Sequence, residues 1–260
     1  MEKFSVFLAD WQVLFREGIH FTLSGEEDIE VTGEGTSSEE ALAFIETNLP
    51  NVAILNIDHG KLTGIEVTRH IKQNLPEVAV ILIMESYNEE QLFLAMKSGA
   101  SACLTKDIDP EDIVNIIRKV AEGGQPISEA LLRPEITSRV VDEFEAFSSL
   151  GEQVGNLLPR LLPIETEVLH HIAGGKPIKE ITKALDLSEE VIRQHLNRIL
   201  TKLVANNRSR ELIEAAQRGL PSVTTEPGKP AAEYVTKDEF NEFKERLMER
   251  FKAFIGQENQ

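Results

Sequence analysis

Residues 51 to 60, "NVAILNIDHG", decide the fold. Val52 to Leu55 and Ile57 are apolar, and the run breaks at Asn56, then at Asp58, His59 and Gly60. So short an apolar run bounded by polar residues suits a strand buried on both faces, as in a parallel sheet. Such a strand hands its last side chain to whatever lies at its C-terminal end. Here that side chain is the amide of Asn56.

Working outward, similar runs occur at Ser5 to Ala9, Ile29 to Thr32, Val78 to Met84 and Ala102 to Leu104. Between them the apolar residues recur at helical spacing, as at Leu92, Ala95 and Met96, or at Ile113, Ile116, Ile117 and Val120. Asp109 followed by Pro110 reads as a helix start, and Gly99 as a helix stop. Five βα units over residues 1–122 predict an α/β domain with a doubly wound, five-stranded parallel sheet. Its site should lie at the C-terminal strand ends, where strand order reverses. Those ends supply Asp10 and Trp11, Asn56, Met84 and Lys106.

The chain is long enough for more than one such unit. No run of eighteen apolar residues occurs and the start lacks a basic region before a long apolar one, so neither a membrane span nor a signal peptide is expected. The lone Cys103 cannot form an internal disulfide, and a cytoplasmic location is expected. The net charge of −17 is unevenly spread. Residues 1–122 carry 9 Lys and Arg against 22 Asp and Glu, whereas residues 155–218 carry 10 against 8. Only the latter segment is net positive, so contact with nucleic acid is expected there alone.

Between these segments, residues 123–158 mix Gly, Ser and Pro with one amphipathic stretch at Val140, Val141, Phe144 and Phe147, which reads as a linker holding a helix between flexible ends. From Leu162 the apolar positions fall into four helical groups: Val168, Leu169 and Ile172; Ile178, Ile181 and Leu185; Ile192, Leu196, Ile199 and Leu203; then Leu212, Ile213 and Ala216. The tight connection Asp186 to Ser188, with Ser188 as helix cap, predicts an all-α helix-turn-helix unit over 159–218. If Ile192, Leu196, Ile199 and Leu203 face inward, Glu190, Arg193, Gln194, Asn197, Arg198 and Thr201 face outward. Arg, Gln and Asn can pair with guanine and adenine edges in the major groove.

A Pro- and Gly-rich linker over 219–235 then leads to "YVTKDEFNEFKERLMERFKAFIGQ". Thr236 with Glu239 forms a capping box, and Phe240, Phe243, Leu247, Phe251 and Phe254 recur at three- and four-residue steps. An amphipathic helix over 236–256 is predicted, and four Phe side chains on one stripe should be covered by self-association or by a partner.

Two resemblances follow from these residues. "VFLADWQVLFREGI", "VAILNIDHGKLTGIEV", "VILIMESYNEEQLFLAMKSGASACLTKD" and "DPEDIVNIIRKVAEGG" resemble the flavodoxin-like receiver domain of bacterial response regulators. The resemblance implies an acidic pair for Mg²⁺ after the first strand, a phosphoacceptor Asp ending the third, Ser or Thr ending the fourth and Lys ending the fifth. This sequence keeps Asp10 and Lys106 but has Trp11, Asn56 and Met84 at the other three positions. An amide is a poor nucleophile, one carboxylate is a poor Mg²⁺ site, and Met84 has no hydroxyl. A receiver fold without receiver chemistry is the expectation. Asp10 and Lys106 are expected to pair, and Trp11 either packs or anchors a small ligand or a partner. Asp58 is an alternative acceptor that would lie beyond the reach of Lys106.

"LLPIETEVLHHIAGGKPIKEITKALDLSEEVIRQHLNRILTKLVANNRSREL" resembles the LuxR-type DNA-binding domain, which makes the whole similar to the NarL/FixJ class of transcriptional regulators. The resemblance implies base reading by Arg193, Gln194 and Asn197, phosphate contacts from Arg198, Lys202 and Lys179, and dimerisation through a last helix at Arg210 to Arg218. Val191 stands for a Thr, Pro177 and Ile178 for Ser-Asn, and Val204 for a helix-ending Gly. The expected function is phosphorylation-independent transcription regulation by a homodimer, with no cofactor or metal and no enzymatic activity. An adaptor that recruits proteins without binding DNA is the alternative.

Overall fold

The computed structural model describes residues 3–58, 62–148 and 158–219, with side chains through Ile213. The chain divides into two units, Met1–Ala216 and Gln217–Gln260. The Phe-rich helix expected over 236–256, with Phe240, Phe243, Leu247, Phe251 and Phe254, lies outside the described residues, as does most of the preceding linker.

Five strands, β1 (Phe4–Ala9), β2 (Ile29–Gly35), β3 (Val52–Asn56), β4 (Ala79–Met84) and β5 (Ala102–Thr105), form one parallel sheet in the order β2-β1-β3-β4-β5. Helices α1 (Val13–Ser24), α2 (Ser38–Asn48), α3 (Gly64–Asn74), α4 (Glu89–Ser98) and α5 (Pro110–Ala121) alternate with them. The central strands β3 and β4 are buried along their whole length, which is why they read as unbroken apolar runs. Order reverses between β1 and β3, so Asp10 and Asn56 flank the switch point.

Local signals hold these helices in place. Thr63 and Glu66 form a reciprocal capping box on α3. Gly64, the first residue of α3, lies so close to β3 that a Cβ there would stand 2.3 Å from the Asn56 carbonyl oxygen. Gly99 ends α4 in the left-handed region at φ 90°. Asp109 occupies the cap position of α5, but its backbone carbonyl rather than its side chain accepts there.

The segment after α5 is not a flexible start to a linker. A 3₁₀ turn over Pro126–Leu132 seats Ile127 and Leu131 in the core, and the Ile127 N–H donates to the Ser101 carbonyl at 3.0 Å. Helix α6 (Pro134–Ser148) follows, burying Ile136, Val140, Phe144 and Phe147. One apolar cluster runs from the sheet through these residues to Val168, Leu196 and Leu203.

Helices α7 (Pro163–Ala173), α8 (Ile178–Leu185) and α9 (Glu189–Gly219) form the second folded part. The Val191 N–H donates to the Ser188 hydroxyl at 3.2 Å, which caps α9 as its sequence signals. The expected separate last helix at Arg210 to Arg218 is absent: α9 continues without a break through both groups. Val204 explains this, because no glycine offers a left-handed exit at that point.

Candidate functional site

Polar side chains gather in two groups, one at the C-terminal strand ends and one on α9. At the C-terminal strand ends, Asp10 and Asn56 are almost fully buried and Met84 belongs to the core. Asn56 Nδ2 donates to Asp10 Oδ2 at 2.9 Å and reaches Glu85 Oε1 at 3.4 Å, while Asn56 Oδ1 accepts the Asp58 N–H at 3.0 Å. Lys106 Nζ sits 3.1 Å from Asp10 and 2.5 Å from Glu85. The backbone N–H of Gln12 donates to Asp10 Oδ1 at 2.7 Å, and Gln12 Nε2 to Glu85 Oε2 at 3.2 Å. The Lys106 ammonium also faces the rings of Trp11 at 5.5 Å and Phe15 at 5.1 Å.

The expected pairing of Asp10 with Lys106 is present, but the pocket holds two carboxylates, not one. Glu85, the residue after the last apolar residue of β4, is the second. Its place at the strand end is visible in the sequence, but the receiver resemblance assigns the site position to Met84, one residue earlier. The hydrogen bond from Lys106 holds the Glu85 carboxyl below its ordinary range. Trp11 stands at the mouth, 47% exposed. Asp58 is engaged elsewhere, accepting from the Gln91 amide.

This geometry explains the amide. Asp10 and Glu85 carry two negative charges against one ammonium, and an NH₂ group donating towards both relieves their repulsion. An aspartate at position 56 would add a third negative charge within the same few ångströms. The donor set suits Mg²⁺ poorly: the space a hard cation would need is faced by an ammonium and an amide NH₂, and Trp11 offers no oxygen. Among the described residues no group of three or more His, Cys, Asp or Glu is arranged to hold a metal ion.

The second group lies on the N-terminal half of α9. Ile192, Leu196, Ile199, Leu200 and Leu203 are buried, and Gln194, Asn197, Arg198 and Thr201 are exposed. Lys179 on α8 is exposed as well. Arg193 differs from the expected outward position: it is half-buried, and its guanidinium pairs with Glu129 of the 3₁₀ turn. Glu129 raises the Arg193 pKa above its ordinary value. Nothing in the sequence signals Glu129, because the pairing spans 64 residues and depends on how the segment after α5 folds back.

Lys202, expected at a phosphate, is instead committed inside its own domain. Its Nζ lies 2.7 Å from the fully buried Glu165 carboxylate, which also accepts the Leu162 N–H at 2.7 Å. Removing it would leave a buried charge without its counter-ion. Arg210, placed by resemblance on a dimerisation helix, pairs with Glu143 of α6 at 3.2 Å.

Residues 6–118 match the model of the response regulator receiver domain, and residues 161–215 match that of the bacterial regulatory proteins of the luxR family. The chain is 28% identical over 228 residues to the transcriptional regulatory protein DegU of Brevibacillus brevis, covering 84% of this chain and 94% of that protein. It is 28% identical over 215 residues to the response regulator protein VraR of Staphylococcus aureus, covering 83% and 97%. Among solved structures, RcsB of Salmonella typhimurium aligns at 22% identity and a TM-score of 0.46, covering 84% of this chain and 98% of that one. A DNA-binding response regulator of the LuxR family from Staphylococcus aureus aligns at 26% identity and a TM-score of 0.43, covering 45% and 98%.

Proposed function

We propose, from the premise that this chain is a response regulator joining a receiver domain to a luxR-family helix-turn-helix domain, that it regulates transcription without phosphorylation of its receiver pocket. The carrying observation is that Asn56 donates to Asp10 and approaches Glu85 where the receiver resemblance places a phosphoacceptor carboxylate. With Lys106 already held by both carboxylates, neither a nucleophile nor a Mg²⁺ seat is provided. The pocket is then a fixed structural element, or one addressed by a small ligand or partner at the half-exposed Trp11.

DNA recognition falls to α9. Gln194 and Asn197 present amides suited to base edges, and Arg198 and Lys179 present cations suited to phosphates. Arg193 can read guanine only by leaving Glu129, so in this arrangement its readout is withheld. The protein is proposed to act as a cytoplasmic homodimer. No helix among the described residues is long and apolar enough to cross a membrane.

Genome-wide occupancy mapping tests the DNA-reading role. The parent chain should occupy discrete sites, and Arg193→Ala combined with Asn197→Ala should abolish that occupancy. Unchanged occupancy in the double variant would remove α9 from the role of reader.

A further inference from the structure

Helix α9 carries two sets of contacts on one uninterrupted rod. Its first half holds Arg193, Gln194, Asn197 and Arg198. Its second half is gripped from the receiver side: Asn207 Nδ2 donates to the Lys97 carbonyl at 3.4 Å, Arg208 Nη2 donates to the Gln73 carbonyl at 3.2 Å, and Glu211 lies 3.3 Å from Arg69 of α3. Arg210 reaches Glu143 of α6, which also pairs with the buried Lys97 of α4. Val204 abuts Gly99 at the end of α4, where a Cβ would meet its Cγ1 at 3.4 Å.

The joint between the halves is built for continuity. No Gly or Pro interrupts residues 189–218. Asn206 and Asn207 are weak helix formers because their amides compete for nearby backbone groups. Here those amides are spent away from the helix backbone. Asn206 Nδ2 donates to the Pro159 carbonyl at 2.9 Å, and Asn207 Nδ2 to Lys97 and to Glu211 Oε1 at 3.0 Å.

We infer that α9 is a single rigid lever, through which the receiver's grip on residues 204–211 sets where the base-reading residues 193–198 stand. The rod from Arg193 to Arg210 is about 26 Å long, at the usual rise per residue. Loosening the far end therefore displaces the reading end without any contact between the two groups. This deepens the proposed DNA-reading role and rests on it.

The test is a double-mutant cycle on the full chain, pairing Glu211→Gln, which loosens the grip, with Thr201→Gly/Ala205→Gly, which breaks the rod while leaving Val204 in place. The probe is a duplex recovered from a randomised library against the full-length protein. On the intact rod Glu211→Gln should change affinity up to about fivefold, the low end of typical coupling between sites and as much as a partly exposed ion pair can transmit. On the broken rod the same change should have no effect beyond about twofold, the scatter of independent sites. Equal effects in both backgrounds would overturn the lever.

Hydrogen exchange in Glu211→Gln alone, on the otherwise unaltered chain, supplies a readout that needs neither DNA nor the glycine variant. Faster exchange in the 3₁₀ turn 126–132, which holds Arg193 through Glu129, with amides 189–203 still protected supports the lever, and a change confined to 204–213 refutes it. Failure of every variant and the parent to bind any duplex would instead remove the DNA-reading premise, while the exchange result still judges the rod.

Discussion

At the scale of single residues, Asn56 is a neutral donor between two carboxylates. Asn56→Asp should cost about 1 to 3 kcal/mol, the usual penalty when a buried hydrogen bond to charged groups is lost, measured as a shifted urea midpoint. It should not gain a phosphoryl group from acetyl phosphate and Mg²⁺, because Trp11 and Met84 remain. Glu85 gives a pH signature. Its folded-state pKa lies below the ordinary value, so its stabilising contribution is complete above about pH 4.5 and is lost as pH falls through the lowered value. Glu85→Gln should therefore flatten the acid limb of the stability curve below about pH 4.5, the ordinary glutamate range. Asn56 was legible in the sequence because it ends an apolar strand. The role of Glu85 was not, since whether the exposed residue after buried Met84 reaches back to Lys106 depends on the loop beyond β4.

At the scale of elements, strands and early helices were legible because periodicity, the Asp109–Pro110 start and the Gly99 stop all pointed the same way. Helix α9 shows where that legibility stops. Two apolar groups with a gap between them read as two helices, and only Val204 in place of a glycine hinted otherwise. The 3₁₀ turn at Pro126–Leu132 was hidden for a related reason: the Gly-Gly-Gln-Pro run that leads into it reads as a loop, and its order comes from Ile127 and Leu131 packing into a distant core. The approach of α3 to β3 yields a prediction at this scale. Gly64→Ala places a methyl against the Asn56 carbonyl, a backbone atom that cannot rotate away. Overpacking of this kind costs about 1 to 3 kcal/mol, so its thermal midpoint should fall and the Asn56 hydrogen bonds should lengthen.

At the scale of the whole molecule, charge and contact work together. Residues 1–154 are strongly acidic, with 11 Lys and Arg against 28 Asp and Glu, while α9 carries cations that acidic partners can hold. Arg193 on Glu129 is one such contact and Arg210 on Glu143 another. An exposed ion pair contributes little by itself, so releasing Arg193 demands little free energy beyond what a guanine contact returns. Glu129→Gln should leave stability within about 0.5 kcal/mol of the parent, as expected for an exposed pair, while tightening binding to the selected duplex. A loss of affinity in that variant would show that Glu129 positions Arg193 for DNA instead of withholding it.

In the proposed function, α9 reads DNA with no covalent signal at the receiver pocket. The most direct measurement is a titration of the full-length chain against its selected duplex, before and after incubation with acetyl phosphate and Mg²⁺, with intact mass recorded on both samples. Superimposable isotherms and an unchanged mass are expected. A phosphoryl adduct accompanied by a shifted isotherm would contradict the proposed function.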